Sequence, residues 1–270
     1  MKRIIAFLAI FLLISCNSEL DSLIFKQFQK FINKYKKHYS SINEYLFRYQ
    51  NFKNNLKEIF NSKKSSFKKG INQFSDLTKQ EFSKTYLNLN LNYDIPITNI
   101  NLNQYTVKST NAAPASFDWR DRGKVGTPKD QGNCGSSWAF ATMGNLEANI
   151  NGNVISEFKY LSTQMLVDCD TSDSGCNGGM MQYAYTWLKK NNGIMLEKDY
   201  PYTGVKGACK YDSSKAIDMK VTGYFKLGSS STIFSPVDED EIKEYLYQTG
   251  PLAIALNGNP LMSYESGVIM

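Results

Sequence analysis

The sequence predicts a folded protein in which a helical N-terminal segment precedes a larger segment with further helices. Its hydrophobic fraction of 42% over 270 residues is enough to build a core, which excludes a disordered chain. Residues 138–148 and 239–248 read as further helices, the first rich in small residues that allow close packing. The helical period of the N-terminal segment, with steps of three and four, is carried by Phe25, Phe28, Phe31, Ile32, Tyr35 and Tyr39.

The net charge of +6 is divided unevenly along the chain. Residues 19–112 carry 15 Lys/Arg and 7 Asp/Glu, a net +8, whereas residues 113–270 carry 14 and 18, a net −4. The two segments either attract each other at neutral pH, in which case acidification loosens them, or they are independently solvated surfaces. We expect no nucleic-acid partner, because the lysines follow a helical pattern and form no compact patch.

The first sixteen residues have the pattern of a signal peptide. A positive start, Met1-Lys2-Arg3, precedes eleven apolar residues from Ile4 to Ile14, and small and polar residues follow. Because this run is too short to cross a bilayer, we expect no membrane span. The alternatives are a buried N-terminal helix, or a lipoprotein cleavage box that would make Cys16 a lipid attachment site.

The cysteines indicate disulfides and argue against a metal site. Four of the five cysteines follow residue 130, and an even set in an exported chain favours two disulfides, with three pairings open by spacing alone. The chain has no C-x-x-C pair, and its single histidine is His38, so zinc is a poor alternative. We expect neither a metal nor a cofactor.

One ten-residue stretch carries a family resemblance. Residues 131–140 read Q-G-N-C-G-S-S-W-A-F and resemble the nucleophile segment Q-G-x-C-G-S-C-W-A-F of papain-family cysteine proteases, the cathepsin L branch included. Nine of the ten positions agree. The exception is Ser137, where the family has its nucleophilic cysteine.

Further segments resemble the same family. They are A-P-A-S-F-D-W-R at 113–120, L-S-T-Q-M-L-V-D-C at 161–169, G-C-N-G-G at 175–179, Y-P-Y followed by Cys209, and G-P-L-A-I-A-L at 250–256, which is similar to a family strand. The resemblance implies an α+β fold, the papain-like two-domain fold, with a helical left domain and a β-barrel right domain that is truncated here. It also implies the disulfides Cys134–Cys176 and Cys169–Cys209. Ser162 is expected to be a helix N-cap.

The resemblance implies roles for residues around Ser137. In the family the helix that begins there lowers the pKa of the thiol, and the backbone N–H of residue 137 binds the oxyanion together with the Gln131 side-chain amide. Gly178 and Gly179 would let a substrate backbone approach as an added strand. An apolar specificity pocket for bulky hydrophobic side chains would be lined by Met180, Met181 and Ala255, which are otherwise core residues.

Residues 17–112 resemble the inhibitory propeptide of cathepsin L-type enzymes. One helix stripe, with spacings 4, 4, 3 and 4, matches the family's E-R-F-N-I-N signature and contains Glu44, Arg48, Phe52, Asn55 and Ile59. Glu44 and Arg48 are placed for an i,i+4 ion pair. The signature's last Asn is Lys63 in this chain. The G-x-N-x-F-x-D motif follows in full as Gly70, Asn72, Phe74 and Asp76.

The resemblance also implies how the chain is divided. Residues 85–112 lose the helical period and would form an extended tail that runs backwards through the cleft and blocks it. The boundary lies near Ala112 or Ala113. We therefore expect a signal peptide at 1–16, a propeptide at 17–112 and a peptidase domain, C-terminally truncated, at 113–270.

The function implied is that of a cathepsin L-like endopeptidase homologue, secreted as a zymogen toward a lysosome, a vacuole or the exterior. Its partners would be peptide and protein substrates and its own propeptide. A serine hydroxyl needs a neighbouring general base, and the family's D-H-A/G and N-S-W-G segments do not occur before Met270. We expect negligible peptidase activity from this chain.

Two other functions remain open at this point. The propeptide portion could inhibit related cysteine proteases in trans, because it carries both propeptide motifs. Alternatively, the protein is an active protease whose C-terminal third is missing from this sequence.

Overall fold

A computed structural model describes residues 2–62, 65–88, 113–152, 157–191, 193–227 and 237–269, without the side chains of residues 2–18. The chain divides into two compact units. The prosegment unit comprises Met1–Ser83 and Asn257–Met270, and the main unit comprises Lys84–Leu256. Lys63 and most of the expected tail, residues 89–112, lie outside the described residues.

The prosegment unit is built on two long helices. Its elements are α1 (Lys2–Tyr35), α2 (Ile42–Asn61), strand β1 (Phe67–Lys69), the first part of α3 (Lys79–Tyr86), a 3-10 turn (Asn259–Ser263) and strand β4 (Tyr264–Gly267). Helix α1 ends because Lys36 adopts a left-handed φ of 49°, and the N–H of Lys37 then bonds Ile32 O. Tyr39, which the helical period included, therefore lies beyond the helix.

An aromatic cluster forms the core of the prosegment unit. Phe28, Phe31 and Phe52 are at most 2% exposed, and the ring centroids of Phe28 and Phe52 are 5.3 Å apart. The helical stripe is thereby confirmed at its centre, whereas Phe25 is 44% exposed. In the same unit, β1 pairs antiparallel with β4, placing Phe67 opposite Gly267.

The main unit is helix-rich with little sheet. Its elements are a 3-10 turn (Trp119–Arg122), α4 (Ser137–Ile150), α5 (Thr163–Cys169), a 3-10 turn (Gly175–Asn177), α6 (Met181–Lys190), β2 (Ile194–Met195), β3 (Ala216–Ile217) and α7 (Glu239–Thr249). The helices expected at 138–148 and 239–248 are confirmed. So is the Ser162 N-cap, whose Oγ accepts a hydrogen bond from Met165 N at 3.0 Å.

Helix α4 runs through the core of the main unit. Trp138, Ala139 and Met143 are at most 1% exposed and pack with Met165 and Leu166 of α5. Small residues on α4 permit this close approach, as the sequence suggested. The core therefore fixes the position at which α4 begins.

The segment 250–256 forms no strand within the described residues. A strand requires a hydrogen-bonded neighbour, and the sheets of the described chain are the pairs β1–β4 and β2–β3. Ile254 and Leu256 are accordingly 63% and 60% exposed. Among the described helices, none combines the length and the apolar character that a membrane crossing requires.

Candidate active site

The candidate nucleophile position lies at the start of α4. Ser137 is the first residue of this helix and its side chain is exposed. Its N–H therefore has no acceptor within the helix. Ser136 precedes it but does not cap the helix with its side chain. Its hydroxyl instead bonds the carbonyl of Cys134 and lies 2.7 Å from the hydroxyl of Tyr202.

Tyr202 ties the predicted oxyanion loop to the helix start. Its hydroxyl donates to the backbone oxygen of Gln131 at 2.9 Å while it bonds Ser136 Oγ. Its ring also packs edge-on against Phe140 of α4, with centroids 4.8 Å apart. Burial raises the pKa of Tyr202, so its hydroxyl stays protonated. The motif contained Tyr202, but sequence reasoning gave it no role.

Both expected disulfides are present. Cys134 is joined to Cys176, and Cys169 is joined to Cys209. Next to the first bridge, Gly135 N donates to Cys176 O at 2.9 Å. The bridge and this bond hold the segment before Ser137 against the glycine loop at 175–179.

Asn88, at the N-terminal end of the main unit, lies against two glycines. One is in the 175–179 loop and the other is in the segment before Ser137. A Cβ added to Gly178, whose φ is 109°, would be 2.0 Å from Asn88 O. A Cβ added to Gly135 would be 2.4 Å from Asn88 Nδ2. Only glycine leaves room for Asn88 at both positions. Nearby, Tyr86 Oη donates to Asn133 Oδ1 at 2.9 Å.

Asn88 is a site residue that sequence reasoning did not single out. The resemblance implied a blocking tail over residues 85–112, but no pattern distinguished one residue of the tail from another. The contact depends on the absence of a side chain at Gly135 and Gly178, which lie far away along the chain. In the sequence, only the glycines themselves indicated that another segment could approach closely at these positions.

Gly179 packs between the core and an acidic side chain. A Cβ there would be 2.6 Å from the indole of Trp138 and 2.6 Å from Asp173 Oδ1. The same Asp173 oxygen accepts a hydrogen bond from Met180 N at 2.8 Å. Gly179 is therefore fixed on both sides, and its glycine is required by packing.

The residues expected to line a specificity pocket have different environments. Met180 and Met181 are 1% and 8% exposed, and Met181 belongs to the core around Trp138. Ala255 lies on the exposed segment after α7. The alternative role as a core residue therefore fits Met181, and the pocket itself stays a prediction.

The propeptide signature residues of α2 converge on the turn that precedes α3. Phe52 is in the aromatic core, and the amide of Asn55 donates to the carbonyls of Ser75 (2.9 Å) and Leu77 (2.8 Å). Ile59 is half-buried near the end of the helix. This stripe joins α2 to the G-x-N-x-F-x-D segment.

Arg48 has a stronger partner than the one expected. The predicted pair with Glu44 exists at 3.9 Å between Nε and Oε1, but Arg48 Nη1 lies 2.9 Å from Glu81 Oε1. Glu44 instead accepts bonds from the N–H (2.8 Å) and hydroxyl (2.7 Å) of Ser40, which lower its pKa. Spacing within one helix could not reveal Glu81, which lies on α3.

The four motif positions of the G-x-N-x-F-x-D segment all make contacts, and its last residue is buried. Asp76 is 2% exposed and accepts hydrogen bonds from Lys37 Nζ and Tyr39 Oη, both at 3.0 Å. Asn72 Nδ2 donates to the carbonyls of Leu261 and Tyr264 in the same unit.

The other two residues of that motif pack closely. A Cβ on Gly70 would be 2.2 Å from a carboxylate oxygen of Glu265, although that oxygen ends a flexible side chain. The ring centroids of Phe74 and Phe82 are 5.0 Å apart. All four motif positions therefore have structural roles in the prosegment unit.

Three features together define the class of a protease proform. They are a helix start held by a disulfide, a glycine loop, and a helical unit that carries both propeptide motifs. Residues 113–270 match the papain family cysteine protease family, and residues 28–82 match the cathepsin propeptide inhibitor domain. The chain belongs to the papain family of cysteine proteases, as a cathepsin L-like member with its propeptide.

Individual relatives agree with this assignment. Probable cysteine protease RD19B of Arabidopsis thaliana is 40% identical over 258 residues, which cover 89% of this chain and 66% of that protein. A viral cathepsin of Choristoneura fumiferana nuclear polyhedrosis virus is 34% identical over 275 residues, covering 100% of this chain and 80% of the relative. The chain thus spans about two thirds of the length of RD19B.

Solved proforms share the fold. Digestive procathepsin L2 proteinase from the larval midgut of Tenebrio molitor has a TM-score of 0.74 at 30% identity, covering 91% of this chain and 79% of that one. Recombinant stem bromelain precursor has a TM-score of 0.69 at 29% identity, covering 91% and 76%. The expected papain-like fold with a propeptide is confirmed.

Proposed function

We propose that this protein is a cathepsin L-like proform whose cleft binds peptide but whose Ser137 supplies no thiolate, so that it does not turn peptides over. The contact of Asn88 with Gly135 and Gly178 is the observation that carries the first part. It supports a cleft occupied by the protein's own propeptide tail. The substrate class would be peptides and proteins, with bulky apolar side chains favoured by Met180, Met181 and Ala255.

The second part, the lack of turnover, follows from comparing the effect of a helix N-terminus on a pKa with the pKa values of a thiol and a hydroxyl. A helix N-terminus stabilises a negative charge by about 0.3–1 kcal/mol, up to about 2 in buried geometries, which is roughly one pKa unit. A thiol with a pKa of about 8.5 is thereby brought toward neutrality. A hydroxyl lies far above that range, so the same helix end leaves Ser137 protonated.

We further propose that residues 1–16 direct export and that residues 17–112 are the propeptide. The charge and apolar pattern of the first sixteen residues supports export. The two disulfides fit an oxidising compartment. The final location would be a lysosome, a vacuole or the exterior.

Hydrolysis of a fluorogenic dipeptide tests the proposal. The protein is assayed from pH 4 to 7, so that acid releases the tail, beside the matched variant Ser137→Ala. We expect the two rates to be equal, because the hydroxyl contributes nothing. A wild-type rate reproducibly above that of Ser137→Ala would contradict the proposal.

A second candidate function is inhibition of related cysteine proteases in trans. It is favoured by the match of residues 28–82 to a propeptide inhibitor domain and by the separate aromatic core of that unit. Residues 19–112, checked for helicity, would be added to a cathepsin L-type enzyme. The absence of inhibition at micromolar concentration would eliminate this function.

A further inference from the structure

The loop between α5 and α6 carries two acidic side chains that the proposed function does not use. Asp170 follows the end of α5, is 1% exposed, and accepts a hydrogen bond from Ser172 N at 2.7 Å. Asp173 lies three residues on and accepts the bond from Met180 N. Because Gly178 belongs to the same loop, both carboxyl groups lie on the segment that meets Asn88.

Each of these carboxyl groups keeps one oxygen without a partner. The Oδ2 atoms of Asp170 and Asp173 are buried and accept no hydrogen bond from the residues that the structure describes. The two carboxyl groups interact closely enough for each to shift the pKa of the other. One proton between them would satisfy both oxygens, whereas two buried carboxylates in contact would repel each other.

We propose that Asp173 is a positioning residue, which shares one proton with Asp170 and thereby holds Gly178 and Gly179 in the shape that receives a peptide backbone. This inference rests on the proposed function, since it assigns a role within the same cleft. Asp173 acts through the Met180 amide and through its packing on Gly179, where a Cβ would be 2.6 Å from its carboxyl oxygen.

The shared proton is lost only in alkaline solution. Burial raises the pKa of both carboxyl groups, that of Asp173 to about 8, and the neighbouring charge of Asp170 adds to the increase at Asp173. Above that pH two charges would face each other in the loop. The loop is then expected to loosen, and its grip on a peptide backbone should weaken.

Among the described residues, the elements around this pair supply no cation that forms an ion pair with it. Helix α4 contributes the neutral indole of Trp138, and the residue before α6 contributes the Met180 amide. On α5, the carboxylate of Asp168 is engaged by Tyr200 at 2.7 Å and by Gly207 N at 2.6 Å. Lys206 lies along Gly175 but forms no ion pair within the described part of the chain.

NMR of the full chain between pH 5 and 9 tests the proposal. The carboxyl carbon of Asp173 reports its titration, and hydrogen exchange at Gly178, Gly179 and Met180, corrected for intrinsic rates, reports the loop. We expect protection to fall about tenfold or more from pH 6 to 9, in step with Asp173. NOEs between Asn88 and Gly178 should weaken in parallel.

Three variants separate charge from shape. Asp173→Asn keeps an oxygen for Met180 N and offers Asp170 a permanent N–H, so its protection should stay constant within about twofold. Asp173→Ala lacks the acceptor, and its protection should be low at every pH. Asp212→Asn, at an exposed position outside the loop, should behave like the wild type.

The outcomes distinguish this inference from the proposed function. Protection that does not change with pH while the NOEs are normal would overturn the inference alone. So would an Asp173→Asn variant that loses protection as the wild type does. NOEs absent at every pH would refute the occupied cleft itself, and the peptide-receiving role of Asp173 with it.

Discussion

At the residue scale, one hydroxyl connects the parts of the candidate active site. Tyr202 bonds both Ser136 at the start of α4 and the backbone of Gln131. A hydrogen bond of this kind contributes about 1 kcal/mol, and a buried group left unpaired costs about 1–3 kcal/mol. The positions of the Gln131 backbone and of the start of α4 therefore both depend on the Tyr202 hydroxyl.

Tyr202→Phe is expected to lower the free energy of unfolding of the main unit by about 1–2 kcal/mol, because Gln131 O and Ser136 Oγ lose a shared partner. Urea denaturation followed by tryptophan fluorescence measures this. Tyr247→Phe is the matched control, since its hydroxyl has no hydrogen bond in the described structure, and it should change little. Equal effects of the two substitutions would contradict this role.

At the element scale, a reciprocal cap starts α3. Thr78 Oγ1 accepts from Glu81 N at 3.1 Å, and Glu81 Oε2 accepts from Thr78 N at 2.8 Å. Burial alone would raise the pKa of Glu81, but the bonds from Thr78 and the charge of Arg48 lower it overall. A lowered carboxyl pKa stabilises the fold above the ordinary value, and that stability is lost as the pH falls.

Glu81→Gln is expected to weaken the prosegment unit by about 1 kcal/mol near neutral pH and to reduce its loss of stability below about pH 4.5. Helical circular dichroism during urea titration at several pH values measures both effects. Glu58→Gln is the control, because Glu58 pairs with Lys79 at the exposed surface, where an ion pair contributes little. If the free energy of unfolding of Glu81→Gln falls in acid as steeply as that of the wild type, the cap is not the source of that loss of stability.

Helices were predictable from the sequence because their signals are local. The small residues of α4 and the Ser162 cap each act within one or two turns. The segment 250–256 failed as a strand because a strand depends on a neighbour that its own residues do not encode. Asn88 and Glu81 were missed for the same reason, since each acquires its role from a distant segment. Asp170 and Asp173 lie close together in one loop, but the sequence did not show that both carboxyl groups are buried.

At the scale of the whole molecule, acid has opposite effects on the two units. Glu81 loses its contribution to the prosegment unit below its ordinary pKa. Asp173 has a raised pKa, so between about pH 4 and 8 the folded main unit binds a proton that the unfolded chain has released. The stability of the main unit therefore falls as the pH rises through that window.

Two probes can follow these opposite trends in one sample. All three tryptophans, Trp119, Trp138 and Trp187, lie in the main unit, whereas circular dichroism also reports α1 and α2. From pH 8 to 5 the fluorescence midpoint in urea should rise. Below pH 4.5 the circular dichroism signal should show a transition at a lower urea concentration. Coincident midpoints that move together at every pH would contradict opposite responses.

We propose that the start of α4 keeps the geometry that stabilises a thiolate and that this chain differs from its family at the nucleophile position, Ser137. The most direct test is the thiol pKa of Ser137→Cys in a chain that starts at residue 17, measured from the pH dependence of iodoacetamide alkylation. Ser116→Cys, at an exposed position that belongs to no described helix, is the control. We predict a pKa at position 137 about half a unit or more below that of the control. A pKa equal to the control, or above it, would contradict the claim.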